Sequence, residues 1–531
     1  MQRARRALWL VMLSGTIHCG GATEGGPPAA ALPAPPVAQA DRVAALATAY
    51  PGVDRVFEDF VREQHVPGAA WGIILDGRLA HVGVTGQRDL AKQAPVDSST
   101  VFRIASMTKS FTALAILMLR DAGTLSLDDP AERWVPELAG LSYPTDDSPK
   151  LTIRQLLSHA TGFPEDNPWG DQQLAVSDAE MSAMMRAGIP FSNAPGVAYE
   201  YSNFGFAILG RIVTNASGMP YRRYIETRIL QPLGMTSTTF EPASVAGGRV
   251  AEGYRWEDEQ WKLEPQLPDG AFGAMGGMLT SLEDLSIWVG LFLDAWPARS
   301  GPTVGPVRRS TLREMQQIHR PRPAVAYRRG DSTIQLSSGG YGFGLGISGS
   351  CEFAHVVAHS GGLPGFGSIM RWLPEYGVGI IAFANRTYTS WGSPTDSALA
   401  LLSATGGLVP REPEPSPALL TRQEQVTRLV LGWNDALADS LVAVNLFLDR
   451  SRDRRRAEIE SMLEEVGPCR AGASGFDHLE NALRGRWTVP CDRGALHVAI
   501  TLAPTMPPTV QYLDVSTEAP PPPPPRRQCR I

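Results

Sequence analysis

Strand-like runs on either side of a helix-rich middle restrict the fold more than any other feature. Residues 69–75 and 79–85 are rich in β-forming residues, and Asp76-Gly77 lies between them. A two-residue hairpin turn needs positive φ, which Asp and Gly tolerate. Residues 339–347, 355–359, 367–373 and 378–384 return to the same composition, punctuated by glycine. Between the two groups the apolar spacing is helical. It is clearest over residues 107–122, where Ala113, Leu114, Leu117 and Met118 form a stripe that stops at Gly123. A further helix is expected over residues 53–64, from Val53, Phe57 and Phe60. The expected fold class is α+β: one antiparallel sheet, built from both ends of this region, packs against a helical lobe and leaves a cleft between them.

With 531 residues, 43% of them hydrophobic, the chain can bury a large core and form more than one domain. A net charge of −6, with acids and bases interspersed, argues against a nucleic-acid partner. The basic run at residues 450–456 contains Asp453 and follows a helical pattern, so it reads as a solvated helix face.

Residues 1–19 read as an export signal: Arg3, Arg5 and Arg6 precede a short apolar stretch, then small and polar residues around Cys19. The stretch is too short to span a membrane. Lipid attachment at Cys19 and plain secretion both stay open, because His18 stands where a lipidation signal carries a small residue. Arg5-Arg6 also leaves a twin-arginine route. The protein is accordingly expected to be periplasmic, membrane-anchored or secreted.

A flexible tether is expected over residues 20–45, a main domain over 46–405, and a proline-rich linker over 406–417. A small α+β module should follow over residues 418–515, with helical patterns at 419–448 and 454–466, and then a proline-rich tail over 516–531. Cys469 and Cys491 lie in that module, whose core alone is thin, and are expected to pair.

Ser106-Met107-Thr108-Lys109 opens the long helix, so Ser106 and Lys109 stand one turn apart and can face one cleft. A serine hydroxyl needs a base within hydrogen-bond reach, and a desolvated lysine can serve. The Ser106 N–H, at the helix start, can donate to a developing oxyanion. Alone, S-x-x-K is a weak signal. Tyr201-Ser202-Asn203 follows, ahead of an apolar helical run at residues 204–212, and then His359-Ser360-Gly361-Gly362 in strand-like sequence.

This ordered set resembles the serine β-lactamase and penicillin-recognising superfamily, in particular its class C β-lactamase, DD-carboxypeptidase and esterase branch. The resemblance spans about residues 53–402 and is supported by the segments at 156–162, 276–284 and 362–366. It implies an acyl-enzyme on Ser106, with Lys109 taking the serine proton. Tyr201 would pass a proton to the leaving group and help activate the deacylating water, and Asn203 would hold Lys109 and a substrate carbonyl. The N–H groups of Ser106 and Gly362 would form the oxyanion hole, and His359, Ser360 and Gly361 would bind substrate. No cofactor or metal is implied.

The substrate would be a small molecule or peptide with an amide, ester or β-lactam bond. His359, where many true β-lactamases carry lysine, tilts the reading toward a peptidase or esterase. The alternative is a catalytically silent binding or scaffold protein on the same fold.

An imidazole of ordinary pKa would lose its charge between about pH 6 and 7.5, so His359 is expected to recognise a carboxylate weakly and with pH dependence. Arg371 or Arg386 could supply that charge instead. His159, in the segment at 156–162, is expected to brace a loop. His355 and His359 would stand about 13 Å apart along a strand, too far for one metal ion.

Overall fold

The computed structural model describes residues 39–328, 334–470 and 475–519. The export signal, Cys19 and the proline run of the tail lie outside them. The folded body begins earlier than the expected tether allows, because Gln39–Ala47 is a helix. Leu46, Ala49, Val53 and Phe57 continue one buried stripe into the next helix, Tyr50–Glu63. Arg42 adds a hydrogen bond to Asp76 at 2.6 Å.

Gly68–Leu75 and Arg78–Asp89 form the expected hairpin, with φ of 46° at Asp76 and 80° at Gly77. Among the described residues, nine strands make one sheet. Its order is Ala94–Pro95, Arg78–Asp89, Gly68–Leu75, Val378–Ala384, Phe366–Leu373, Val356–Leu363, Gly346–Ser350, Ile334–Tyr341 and Arg320–Arg328. All the pairs are antiparallel. The first and last strand-rich segments of this region meet where Ala69 pairs Ala384 and Leu75 pairs Val378.

Residues 339–347 are not one strand. The chain leaves the sheet after Tyr341 and returns at Gly346, with Gly344 at φ +70°. A Cβ on Gly344 would stand 2.6 Å from the Lys109 carbonyl oxygen, so glycine lets this turn rest on the helix that carries Lys109.

Gly68–Leu75 is buried along its whole length, because the sheet is covered on both faces. Ala70 and Ile74 belong to the core shared with the helical lobe. Ala69, Trp71 and Ile73 face a second layer built on Tyr50–Glu63 and Gly392–Ala404. There Phe57 stacks between Trp71 and Trp391, with ring centroids 5.3 and 5.6 Å away. This second layer was not evident from the sequence pattern.

The helix that follows Ser106 runs over Thr108–Asp121 and is buried almost all round, as befits the central element of a lobe. Phe111 on it stacks on Trp288 at 3.6 Å. Asn203–Ser217 packs beside it and starts at Ser202, whose hydroxyl accepts the Gly205 N–H. Among the described residues, no helix is long and apolar enough to cross a membrane.

Between Ala404 and Pro417 the chain has no regular structure, yet it is held. Arg411 donates its N–H to the Glu375 carbonyl at 2.7 Å, and its guanidinium to the carbonyls of Leu293 and Pro374. Beyond it, residues 419–448 do not form one helix. Gly432 ends Pro417–Leu431, and Asn434 caps Asp435–Leu441 through a 2.9 Å bond from the Leu437 N–H. Leu446–Asp449 and Arg452–Val466 complete the helices of this part.

Among the described residues, four antiparallel strands follow in sequential order: His478–Asn481, Arg484–Cys491, Gly494–Leu502 and Val510–Ser516. Their alternating burial places Trp487, Val489, Leu496, Val498 and Ile500 in a separate core. Ser516, expected in the tail, closes the last strand. On Arg452–Val466 the exposed Arg454 and Arg456 pair four residues along, with Glu458 and Glu460, while Arg455 turns inward to the carbonyls of Leu446 and Leu513.

Cys469 and Cys491 form a disulfide across a sequence separation of 22. Replacing both with serine should destabilise this part by about 3 kcal/mol on chain-entropy grounds. Hydrogen exchange of the strands Arg484–Cys491 and Gly494–Leu502 against urea measures it, and an unchanged midpoint would contradict the expectation.

Candidate active site

Ser106 lies in a 3-10 turn, Ala105–Met107, between the short strand Phe102–Arg103 and the central helix. Ala105 takes φ +47°, unusual for a residue with a Cβ, and the turn swings the chain sharply into the helix. Ser368 holds it from the sheet by donating its hydroxyl to the Ile104 carbonyl at 2.9 Å. Gly361 permits the approach, since a Cβ there would stand 2.1 Å from that same carbonyl oxygen. Gly361 thus faces the serine turn and gives it steric clearance.

Lys109 is completely buried one turn beyond Ser106. Its Nζ lies 3.0 Å from Ser106 Oγ, 2.7 Å from Asn203 Oδ1 and 2.8 Å from the Met275 carbonyl oxygen. Burial lowers the Lys109 pKa to about 7, against the pull of Asp171 and Asp166 in the other direction. The geometry suits the neutral amine. Its two N–H groups can satisfy the two carbonyl-type oxygens, which cannot donate, and its lone pair is then left for the Ser106 hydroxyl.

Tyr201 is half-buried, and its side chain stands close to Ser106. Burial pushes its pKa well above the usual value, so the phenol is protonated. The ring centroid lies 4.8 Å from Lys109 Nζ. Asn203 opens its helix and is fixed from both sides. Its Nδ2 donates to Asn167 Oδ1 at 2.6 Å, and its backbone N–H donates to Asp166 Oδ1 at 2.7 Å. The other Asp166 oxygen accepts the Phe204 N–H, also at 2.7 Å, so this carboxylate caps the helix.

Asp171 is 4% exposed and accepts the Tyr388 hydroxyl at 3.1 Å. The Tyr388 ring packs on Gly362, where a Cβ would stand 2.6 Å from it.

The surroundings of His359 argue against the charge sensor expected of it. Burial, with the nearby Lys109 adding to it, lowers its pKa to about 3, so the ring is neutral at ordinary pH. Both nitrogens are engaged. Nδ1 donates to the Ser360 carbonyl at 2.6 Å, and Nε2 accepts the Tyr341 hydroxyl at 2.8 Å. KM for an acidic substrate and for an uncharged one should therefore run parallel between about pH 6 and 7.5, in contrast to an imidazole of ordinary pKa. A selective rise for the acidic substrate over that range would overturn the assignment.

Arg371 turns to the outer layer, where it pairs with Asp396 at 2.5 Å. Arg386 bridges Tyr254 through its backbone. His355 bonds separately to the Gln316 carbonyl at 2.9 Å. Ser360 is exposed, and Gly362 follows two residues along the same strand. Pairing of that strand with Gly346–Ser350 stops at Ala358, while pairing with Phe366–Leu373 continues to Leu363.

The structure thus brings Ser106, Lys109, Tyr201 and Asn203 together, with His359 and Gly361 beside them. Asp166, Asn167, Asp171, Met275, Tyr341 and Tyr388 also belong to the site and were missed. Met275 contributes a backbone carbonyl, which leaves no side-chain signature. Asp171 and Tyr388 are 217 positions apart.

A sheet made of both ends of the region at 53–405, a buried lysine bonded to a serine at a helix start, and Y-x-N and H-x-G segments beside them define the β-lactamase/transpeptidase-like class. Residues 53–405 match the Beta-lactamase family model, and the chain belongs to that family. Protein flp of Staphylococcus aureus (strain COL) is 29% identical over 63% of this chain and 62% of its own length. Penicillin-binding protein 4* of Bacillus subtilis (strain 168) is 28% identical over 57% of this chain and 64% of its own. The chain therefore spans less than two thirds of each of these curated relatives.

Among solved structures, the octameric penicillin-binding protein homologue from Pyrococcus abyssi is similar in fold, with a TM-score of 0.58. It is 23% identical, over 86% of this chain and 96% of that one. The penicillin binding protein from Bacillus halodurans has a TM-score of 0.51 at 22% identity, over 65% of this chain and 99% of that one.

Proposed function

We propose that this protein is an exported serine hydrolase of the DD-carboxypeptidase and esterase type, cleaving an ester or amide bond through an acyl-enzyme on Ser106. The observation that carries this reading is the 3.0 Å contact of Lys109 Nζ with Ser106 Oγ, with the remaining Nζ contacts on oxygens that only accept.

Ser106 Oγ attacks the substrate carbonyl carbon as its proton passes to Lys109 Nζ. The oxyanion takes hydrogen bonds from the N–H groups of Ser106 and Gly362. Collapse breaks the bond to the leaving group, which takes a proton from the Tyr201 hydroxyl, and Tyr201 regains one from Lys109. Water, deprotonated through the same groups, then releases the acid and restores Ser106. Asn203 holds Lys109, and Ser360 lines the cleft.

The neutral His359 and the ion-paired Arg371 favour uncharged esters and amides over substrates that need a fixed cation for a carboxylate. A β-lactam remains a chemically related acyl donor. For export, residues 1–19 serve as the signal, with Cys19 as the site of any lipid anchor; metabolic labelling with a fatty acid, compared with Cys19→Ser, tests that anchor.

The decisive test of the hydrolase reading is covalent labelling. A fluorophosphonate or a fluorescent penicillin should modify the folded protein, with the adduct mapped to Ser106. Turnover should then appear in a screen of short-chain esters, D-Ala-D-Ala peptides and a chromogenic cephalosporin. Folded protein that takes up neither label and turns over none of these would instead be a silent binding protein.

A further inference from the structure

Tyr201 is held from an unexpected direction. His159 is completely buried at φ +54° in the loop that follows the short helix Ile153–Leu157, and it grips the chain on both sides of Tyr201. The Glu200 N–H donates to the His159 carbonyl oxygen at 2.9 Å. The Ser202 N–H donates to His159 Nδ1 at 3.0 Å. The imidazole lies between the aromatic rings of the site, 4.2 Å from Tyr201 and 4.4 Å from Tyr341.

Because Nδ1 accepts, the ring proton sits on Nε2, and that nitrogen is buried without a hydrogen-bond partner. An unmet buried donor is unfavourable, so bracing the loop does not by itself account for an imidazole at this place. Burial, with Lys109 and His359 nearby, keeps the ring neutral.

We propose that His159 is the positioning residue of Tyr201: its carbonyl and Nδ1 clamp residues 200 and 202 so that the phenol is held beside Ser106. The inference rests on the reading above, in which Tyr201 protonates the leaving group. Displacing a reacting group by about 1 Å can cost on the order of 100-fold in rate. The loss should depend on the leaving group. An alkoxide must be protonated as it departs, whereas p-nitrophenoxide leaves unaided.

The test compares His159→Asn with His159→Gln. An asparagine Oδ1 can take the place of Nδ1, and Asn tolerates positive φ; a glutamine carbonyl reaches instead toward the Nε2 position. Single-turnover acylation by an alkyl ester should fall about 100-fold in His159→Gln and stay within about fivefold of wild type in His159→Asn. With the p-nitrophenyl ester of the same acid, both variants should stay within about fivefold, and KM should move little throughout. In a Tyr201→Phe background the Gln substitution should add almost nothing.

Equal losses on the two esters, equal losses in the two variants, or additivity with Tyr201→Phe would each show that His159 only supports the fold. Fluorophosphonate labelling and melting curves are run alongside. Failure of the folded wild type to label would sink the hydrolase reading itself. Labelling with no leaving-group dependence would sink only the clamp.

Discussion

Replacing Ser106 with alanine should lower kcat by at least about 10⁴-fold and abolish covalent labelling, with little change in stability. Loss of the nucleophile in a serine hydrolase costs about that much or more, and the residual rate comes from binding and the oxyanion hole. The fold should tolerate the change. Ser106 sits in a turn held by Ser368 and by the clearance at Gly361, neither of which uses its hydroxyl. Lys109 keeps its bonds to Asn203 and Met275. The measurement is steady-state turnover of whichever ester or peptide is accepted, with a thermal melt of the same sample. A Ser106→Ala protein that is folded and retains more than a few per cent of wild-type activity would show that another group is the nucleophile.

Lys109→Met should cost about 10³-fold or more in kcat/KM, because the hydroxyl loses its base while the cavity stays filled. Lys109→Arg should do no better, since a guanidinium does not give up its proton. In the wild type the working form is the neutral amine. With the Lys109 pKa lowered to about 7, kcat/KM should rise about tenfold per pH unit below that value and level off above it.

Stability carries the same signature. The folded pKa of about 7 lies below the ordinary 10.5, so between those values the unfolded chain binds the extra proton and stability rises with pH. Below about pH 7 both states are protonated, and the full penalty for the buried charge is present. Urea midpoints measured from pH 7 to 10 should therefore climb less steeply in Lys109→Met than in wild type. Equal slopes, or a wild-type rate profile flat through pH 7, would mean that Lys109 does not titrate there.

The readable part of this protein is the part written in local periods. Asp76-Gly77 sets a turn within its own two residues, and the apolar stripe around Leu114 and Leu117 sets a helix. Together they place Ser106 and Lys109 one turn apart before any tertiary contact is known. Strand-like runs at both ends then leave an antiparallel sheet as the natural way to pair them, and Ala69 beside Ala384 shows that pairing. Pattern failed where a break or a partner is not local. Residues 339–347 look like one strand but turn at Gly344, because the turn is shaped by its contact with the Lys109 backbone.

Which chemical groups are present, and the short-range spacing that lets them meet, can be read from the order of residues alone: serine and lysine one turn apart, tyrosine and asparagine at the start of another helix, histidine on a strand. Their protonation at neutral pH, and the partners that hold them, follow from the folded arrangement. His359 is a neutral strut between Tyr341 and Ser360, Lys109 is an amine poised to deprotonate, Met275 lends a carbonyl, and His159 grips the chain around Tyr201. The physical reason is that a proton's affinity is set by desolvation and by neighbouring charges and dipoles. Those neighbours come from segments far apart in the chain, so no window of sequence contains them.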